Sequence, residues 1–469
     1  MRSVTEAFRI ALPYRPDGAR LFAPLAERPW SMFFDSGPPD RRTGRFDIIV
    51  SDPLMRLETR GETTFIHSPD ARRQSTDDPF ALLDELLTGI AVEAGELPFV
   101  SGAAGYLGYD LGRRIERLPS LAEDDEQLPT MAMGIYDWAV VLDHERHECW
   151  LTGETGGRND PARRQQLVKL FTEPPAVATT RGFQVTGEIR ADLDRQSYAQ
   201  AYRRIERYIV EGDCYQVNLA QRFTAECVGD PWMAYCALRQ VNPAPFGAYL
   251  NLPDVQVLSC SPERFIEVRD GLAQTRPIKG TRPRSADPGE DEALRSALAR
   301  SEKDRAENVM IVDLLRNDFG KTCQPGSVRA PELFAVESFA TVHHLVSTVE
   351  GRLATGVSTL DLLRGCFPGG SITGAPKLRA MEIIEELEPH RRGVYCGGIG
   401  YIGADGSMDM NIAIRTLTHQ RGKLHFWAGG GIVHDSTLEG EYQECFDKAA
   451  AMLSLFQPRD QYAFSQTTT

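Results

Sequence analysis

The stretch "SEKDRAENVMIVDLLRNDFG", residues 301–320, constrains the fold more than any other in the chain. Ser301 with Asp304 has the form of a capping box and N-D-F-G supplies a stop, so the spacing predicts one helix. On it Glu307 shares a stripe with Met310, Ile311 and Leu314, which sets a carboxylate along the face that should be buried. A lone buried carboxylate is costly, so the fold must bring Arg, Lys or a metal to it. Near the C-terminus, "STLEGEYQECFDKAAAML" places Glu441, Glu444 and Lys448 on one face of a second helix. Two helices thus turn acid toward the interior. Carboxylate oxygens from two elements, completed by waters and a substrate anion, suit magnesium, while an internal salt bridge is the plain structural alternative.

The rest of the composition narrows the class. With 469 residues, 42% hydrophobic and 25% charged, the chain is long enough for two or three ordinary domains or one large one. A net charge of −14 repels a phosphate backbone, so no nucleic-acid partner is expected. No stretch approaches a membrane span, and Glu6 and Arg9 interrupt the apolar residues a signal peptide would need. Nine scattered cysteines without a C-x-x-C pair read as single buried thiols, and a cytoplasmic location is expected.

Loop-rich stretches from 152 and 172 place a boundary near residue 185. Residues 1–185 then form an N-terminal companion region with short strands in "RFDIIVSDP" and "YDWAVVLDHERHECWLTG" and one amphipathic helix in "DPFALLDELLTGI". Residues 186–457 form the larger unit, opened by a helix with tyrosines at 198, 202 and 208, and 458–469 form a tail.

Three motifs fail on context. "GIGYIG", residues 398–403, is followed by a D-G turn and an alternating strand, a hairpin and not a dinucleotide loop. "GGSITGAPK", residues 369–377, has Ala375 where a phosphate loop needs lysine; Pro376 reads as the first residue of a helix whose amides could meet a carboxylate. His144 and His147 have no third metal ligand at useful spacing.

Two short motifs remain. "LSCSPERFIEV" is strand, turn, strand, with Glu263 at the break; the turn at Asp270 and Gly271 then predicts that Lys279, in "RPIKGTRPR", lies on a strand neighbouring that of Glu263. A lysine among arginines can be a nucleophile, an anion clamp or a solvated basic turn.

Together, "YQVNLAQRF", "SPERF", "RPIKGTRPR", "EKDRAENVMIVDLLRND", "PGGSITGAPKLRAMEII", "GGIGYIG" and "EGEYQECFDKAAA" resemble the chorismate-utilising enzymes, in consistent order over about residues 190–455. The resemblance implies an α+β, anthranilate-synthase-like fold of intertwined α/β subdomains around large antiparallel sheets. It also separates branches. Lysine at 279, where the ortho-aminating enzymes have alanine, marks the para-aminating branch, and Gln216 stands where the isochorismate branch has a water-activating lysine. The implied product is 4-amino-4-deoxychorismate, on the way to 4-aminobenzoate and folate. Ortho amination and a non-catalytic amino-acid-sensing paralogue are the competing readings.

The same resemblance implies the site. Glu307 and Glu444 would hold Mg2+ for the ring carboxylate of chorismate, Glu263 would protonate the departing hydroxyl, and Lys279 would add at C2. Arg276, Arg282 or Arg284 would lower its pKa. Arg415 and Lys448 match positions that bind substrate carboxylate; Thr281, His344 and Gly430 match pocket-lining positions; Gln216 lies on the ammonia side. No G-x-C-x-G nucleophile turn is present, so ammonia would come from a separate glutamine amidotransferase subunit. Ser36, Arg45, Phe46, Pro245 and Phe246 are candidates for a tryptophan pocket, with an ordinary core edge as the equal alternative.

Overall fold

A computed structural model of the chain describes residues 7–90, 92, 95–155, 158–174, 182–339 and 342–455. The tail 458–469 and most of the connection from 172 lie outside them. Among the described residues the strands form two antiparallel sheets, one of thirteen and one of twelve strands. Helices cover the outer face of each.

Period-two alternation builds the layers. Phe33 and Ile49 pack outward with Phe22, Phe171, Trp232 and Met452, all from helices. Their neighbours Phe34 and Ile48 face inward, where they meet Tyr106 and Ile399 of the other sheet. On the far side, Leu107 and Met133 pack against Phe80, Ile311, Phe319 and Leu363 of the second helical layer. Each large apolar side chain removed from water contributes about 1.5–3 kcal/mol, and strands buried on both faces must be apolar on both.

The boundary expected near residue 185 does not separate the sheets, since each contains strands from both sides of it. Phe34 lies opposite Ala248, and Gly105 opposite Gly400, so in each sheet a block of strands from before the boundary is joined edge to edge to a block from after it. The predicted helices form at Pro79–Leu87, Arg195–Val210, Glu302–Gly320 and Leu438–Ser454, and "GIGYIG" opens the Gly398–Gly403 and Met408–Ile412 hairpin. Ser301 caps its helix by accepting from the amide of Asp304. Pro376 is the cap of the Lys377–Leu387 helix, one residue before the predicted place. Lys377 is no phosphate ligand; it bonds Asp318 at 2.6 Å and the Cys366 carbonyl at 2.9 Å. His144 sits in the core between Tyr14 and Asp47, both at 2.9 Å.

Two links between the sheets matter most. Pro262 and Glu263 join Gln256–Ser261 of the first sheet to Arg264–Arg269 of the second, and residues 413–415 carry the chain back from Met408–Ile412 to Thr416–Gln420. These crossings lie side by side: Ile412 N donates to the Glu263 carbonyl at 3.0 Å, Ser261 Oγ to the Ile412 carbonyl at 2.6 Å, and Cys260 N to the Arg415 carbonyl at 3.1 Å.

Candidate active site

Both crossings break a ladder for a local reason. Pro262 has no N–H to donate, and Arg415 has φ +52°, left-handed backbone that a non-glycine residue rarely adopts. Glu263, read from sequence at a strand break, is not solvated: it is 7% exposed. Burial raises its pKa above the ordinary carboxyl value, against the opposing effects of a hydrogen bond from Ser371 and the charges of Lys279 and Lys448.

Lys279 arrives from another direction. Its strand Ile278–Pro283 pairs with Val342–Arg352, and so does Leu272–Thr275; the strand that Glu263 leads into, Arg264–Arg269, pairs with Leu272–Thr275 and Met408–Ile412. The expectation of neighbouring strands is therefore corrected. The Leu272–Pro283 run breaks after Thr275, so both pieces follow one edge of Val342–Arg352 in succession. The register slips between Lys279 and Thr281 at Gly280, whose φ of +74° suits glycine and whose missing Cβ would lie 2.8 Å from Asp304 Cγ.

Burial lowers the pKa of Lys279 first, with Lys448 adding to the fall and Glu263, Glu307 and Glu444 opposing it. The three arginines named as tuners do not have that role. Arg276 pairs with Glu337, Arg282 with Asp304 at 2.9 Å, and Arg284 with Asp291 at 2.8 Å. Each guanidinium next to "IKGT" is already matched by its own acid, which leaves desolvation as the main cause.

The two acid-bearing helices do approach the same place. Burial raises the Glu307 carboxyl, and Asp304 and Glu444 add to the rise, against Lys279 and Lys303. Glu444 is paired with Lys448 at 2.7 Å. Glu441, 5% exposed, accepts from Ser436 through Oε1 at 2.6 Å while its Oε2 has no protein partner. Burial and the nearby Glu444 raise it too. A Cβ on Gly430 would lie 2.7 Å from that Oε2, so a side chain here would push the Glu441 carboxylate out of its present place. Carboxylates that repel one another beside an unmatched oxygen fit a hard divalent cation. Among the described residues no three His, Cys, Asp or Glu side chains form a centre alone, so water and substrate oxygens would complete it.

The other predicted residues line this cleft in part. Arg415 donates to the Lys448 carbonyl at 2.6 Å and has no ion-pair partner among the described residues; burial lowers its pKa. Lys448 Nζ also donates to the Gly429 carbonyl at 2.9 Å. Thr281 and His344 are cross-strand partners, joined Oγ1 to Nδ1 at 2.9 Å. Burial, then Arg415, pulls His344 down to about 4. Gln216 is fully buried with neither amide atom partnered, and a Cβ on Gly431 would meet its Nε2 at 2.3 Å. Sequence reasoning missed Ser371, which touches Glu263 and Lys279, and left Glu441 out of the site. Both were inside quoted motifs, but a serine in a Gly-rich turn and an acid near a better-placed acid give no periodic signal.

Ser36, Arg45, Phe46, Pro245 and Phe246 do come together, lining a cavity of about 650 Å3 between the sheets with Phe34, Tyr401 and Met408. Ser36 bonds Asp47 at 2.7 Å, and Arg45 makes two bonds to Asp143 at 3.0 and 2.7 Å while covering the ring of Phe46. The cavity touches the same strands as the cleft from their other face, through Pro262, Arg264 and Ile278.

The chain is similar to known proteins over nearly its whole length. It is 51% identical to the aminodeoxychorismate synthase component 1 of Klebsiella aerogenes, covering 95% of this chain and 98% of that protein. It is 43% identical to the anthranilate synthase component 1 of Thermus thermophilus, covering 92% and 93%. Among solved structures, anthranilate synthase component I from Streptococcus pneumoniae superposes with a TM-score of 0.78 at 32% identity, covering 87% of this chain and 92% of that one. Residues 32–454 match the chorismate binding enzyme family, and the chain belongs to it.

Proposed function

We propose that the chain replaces the C4 hydroxyl of chorismate by an amino group from ammonia, giving 4-amino-4-deoxychorismate and water. The observation that carries this reading is the pair Glu263 and Lys279: burial makes the acid harder to ionise and the amine easier to deprotonate, and both lie at one turn. Relatives from Klebsiella aerogenes, Escherichia coli at 48% identity and Bacillus subtilis at 40% carry the aminodeoxychorismate synthase name, which supports the para product over the ortho one.

The steps follow from the groups present. The neutral amine of Lys279 adds at C2, both conjugated ring double bonds move round the ring toward C4, and the C4 hydroxyl leaves as water with the proton of Glu263. Ammonia then attacks C4, the two double bonds move back, the C2–N bond breaks to restore the neutral Lys279 amine, and the ammonium formed at C4 returns one proton to Glu263. The unmatched Arg415 and the Lys448 ammonium would hold the carboxylates, and His344, neutral at working pH, would offer a hydrogen bond and no charge. Mg2+, held by Glu307 and Glu444, would neutralise the ring carboxylate. The unpartnered amide of Gln216 is a place for ammonia to bond before attack.

The component 1 name of the relatives implies a separate partner, here a glutamine amidotransferase subunit as the ammonia source. No described helix is long and apolar enough to cross a membrane. Phe34, Phe46, Pro245 and Phe246 give the cavity between the sheets walls that suit the ring of tryptophan, although Ser36 and Arg45 are committed to Asp47 and Asp143. The decisive experiment incubates the purified chain with chorismate, magnesium and either ammonia or glutamine. We expect 4-amino-4-deoxychorismate from ammonia alone; anthranilate as the product, or glutamine use without a partner, would refute the reading.

A further inference from the structure

Ser371 touches both members of the proposed acid and amine pair, and no step above uses it. Its carbonyl accepts from Lys279 Nζ at 3.5 Å, and its side chain lies beside the Glu263 carboxyl, within reach to hold that carboxyl's pKa down. Glu263 sits in the link before Arg264–Arg269, a strand that does not pair with the Ile278–Pro283 strand of Lys279, so their alignment needs something other than a ladder.

The turn that carries Ser371 is clamped on several sides. Gly370–Ile372 forms one turn of 3-10 helix, and Ser371 is 8% exposed. A Cβ on Gly370 would lie 2.6 Å from Leu314 Cδ2, on the helix that bears Glu307; one on Gly369 would lie 2.7 Å from Ile412 Cδ1, beside the crossing strands. Arg392, buried and bonded to Glu388 at 2.6 and 2.8 Å, donates to the Ile372 carbonyl at 2.9 Å. Thr373 Oγ1 donates to the Gly369 carbonyl at 3.1 Å. Two glycines bring the turn against its neighbours, and the arginine keeps it there.

The chemistry of the two contacts is complementary. A serine hydroxyl can donate to an ionised carboxylate or accept from a protonated one, so it follows Glu263 through proton transfer. A carbonyl accepts an N–H of either amine form, and fixing one N–H of a neutral amine directs its lone pair elsewhere. At 3.5 Å the second contact is long, so it supplies direction more than energy.

We infer that Ser371 is a positioning residue: its hydroxyl orients the Glu263 carboxyl toward the leaving group while its carbonyl aims the Lys279 amine. This rests on the reading of Glu263 as acid and Lys279 as nucleophile. Glu263 faces Lys279 from the Ile278–Pro283 strand, Lys448 from the Leu438–Ser454 helix, Ser371 from the turn and the thiol of Cys396; Lys279 faces Glu263, Lys448, Glu307 and Glu444.

The test compares kcat/KM for chorismate against pH, with free ammonia saturating, for the native chain and Ser371→Ala, Ser371→Thr and Glu263→Gln. The hydroxyl favours the ionised form of Glu263, so without it the acid stays protonated to higher pH. In Ser371→Ala we expect kcat to fall about 10- to 100-fold. KM for chorismate stays close to native, and the basic limb of the profile moves to higher pH. Threonine, which keeps the hydroxyl, restores both rate and limb. A structural role alone would lower the rate without moving the limb, so an unmoved limb in Ser371→Ala with an inactive Glu263→Gln overturns the role of Ser371 only. An active Glu263→Gln overturns the acid assignment and this inference with it. If Ser371→Ala does not fold, the threonine variant decides: a folded, inactive Ser371→Thr, with native thermal stability and magnesium response, shows that the hydroxyl is not what the site needs.

Discussion

The cleft at the sheet crossings and the cavity between the sheets are both lined with charge, but the cavity's charged groups are mostly paired and several buried polar groups of the cleft are not. In the cavity Arg264 makes two bonds to Asp409 at 3.0 and 2.9 Å, Arg45 two to Asp143, and Arg276 pairs with Glu337. In the cleft Arg415 has only a carbonyl, Glu441 Oε2 and both amide atoms of Gln216 have no protein partner, and Glu263 and Lys279 are each pushed toward their neutral forms. Unmatched buried groups cost stability and persist where something else matches them, so the contrast supports the proposal that a charged substrate completes the cleft.

The sharpest way to break this contrast is Lys279→Ala. If the amine is the nucleophile, para amination should fall by about a thousandfold or more. The native chain trapped with chorismate should carry an adduct on the peptide containing Lys279. Near-normal para amination by the variant would return the lysine to an anion clamp.

The cavity should answer differently. Arg264→Met leaves Asp409 and Glu267 without their cation, and because the pair is only partly screened from water the cost should be about 2 kcal/mol in stability. Chorismate KM and kcat should stay near native once the variant is assayed below its unfolding temperature. A large rise in KM with unchanged stability would mean that the cavity's charges serve a ligand after all.

How far these differences were legible in the sequence depends on what set each one. Glu307, Glu444 and Lys448 follow from helical spacing, because a helix turns residues three and four apart to one side whatever it packs on. The order of the strands did not follow. Nothing in "RPIKGTRPR" reports that Ile278–Pro283 pairs with a strand some sixty positions later and not with its predecessor, since long-range pairing is decided by which apolar faces can be buried together. The pKa tuning was misread for a related reason. Arg276, Arg282 and Arg284 are close to Lys279 in sequence, while the acids that neutralise them, Glu337, Asp304 and Asp291, come from elements that only the fold brings near.

A smaller effect separates metal from salt bridge at the helix pair. Glu307→Gln or Glu444→Gln removes one anionic oxygen, and magnesium affinity measured through activity should fall at least about tenfold. Glu444→Gln should also free Lys448, now 2.7 Å away, and lower the affinity for chorismate less than it lowers that for magnesium. Undiminished activity at limiting magnesium would leave these residues as an internal salt-bridge network.

The smallest expected effect probes the unmatched charge of Arg415 through His344. The imidazole, ordinarily near 6.5, is pulled down to about 4 by burial first and by Arg415 second. Below the ordinary value an unfolded chain takes up a proton that the folded chain refuses, so the unfolded state binds more protons and stability rises with pH across this window. The stabilising contribution is therefore present above about 6.5 and is lost progressively as pH falls toward the folded value. His344→Gln should remove this part of the slope, read as the difference between the two unfolding temperatures from neutral to mildly acidic pH. Chorismate sharpens the measurement. An anion on Arg415 cancels the field that helps to depress His344, so bound substrate should raise the imidazole pKa, and the ring resonances of His344 should titrate at higher pH with chorismate than without. In the cavity no such shift is expected, because Arg45 and Arg264 already have their anions. An unchanged His344 titration on saturation with chorismate would mean that the substrate carboxylate does not meet Arg415.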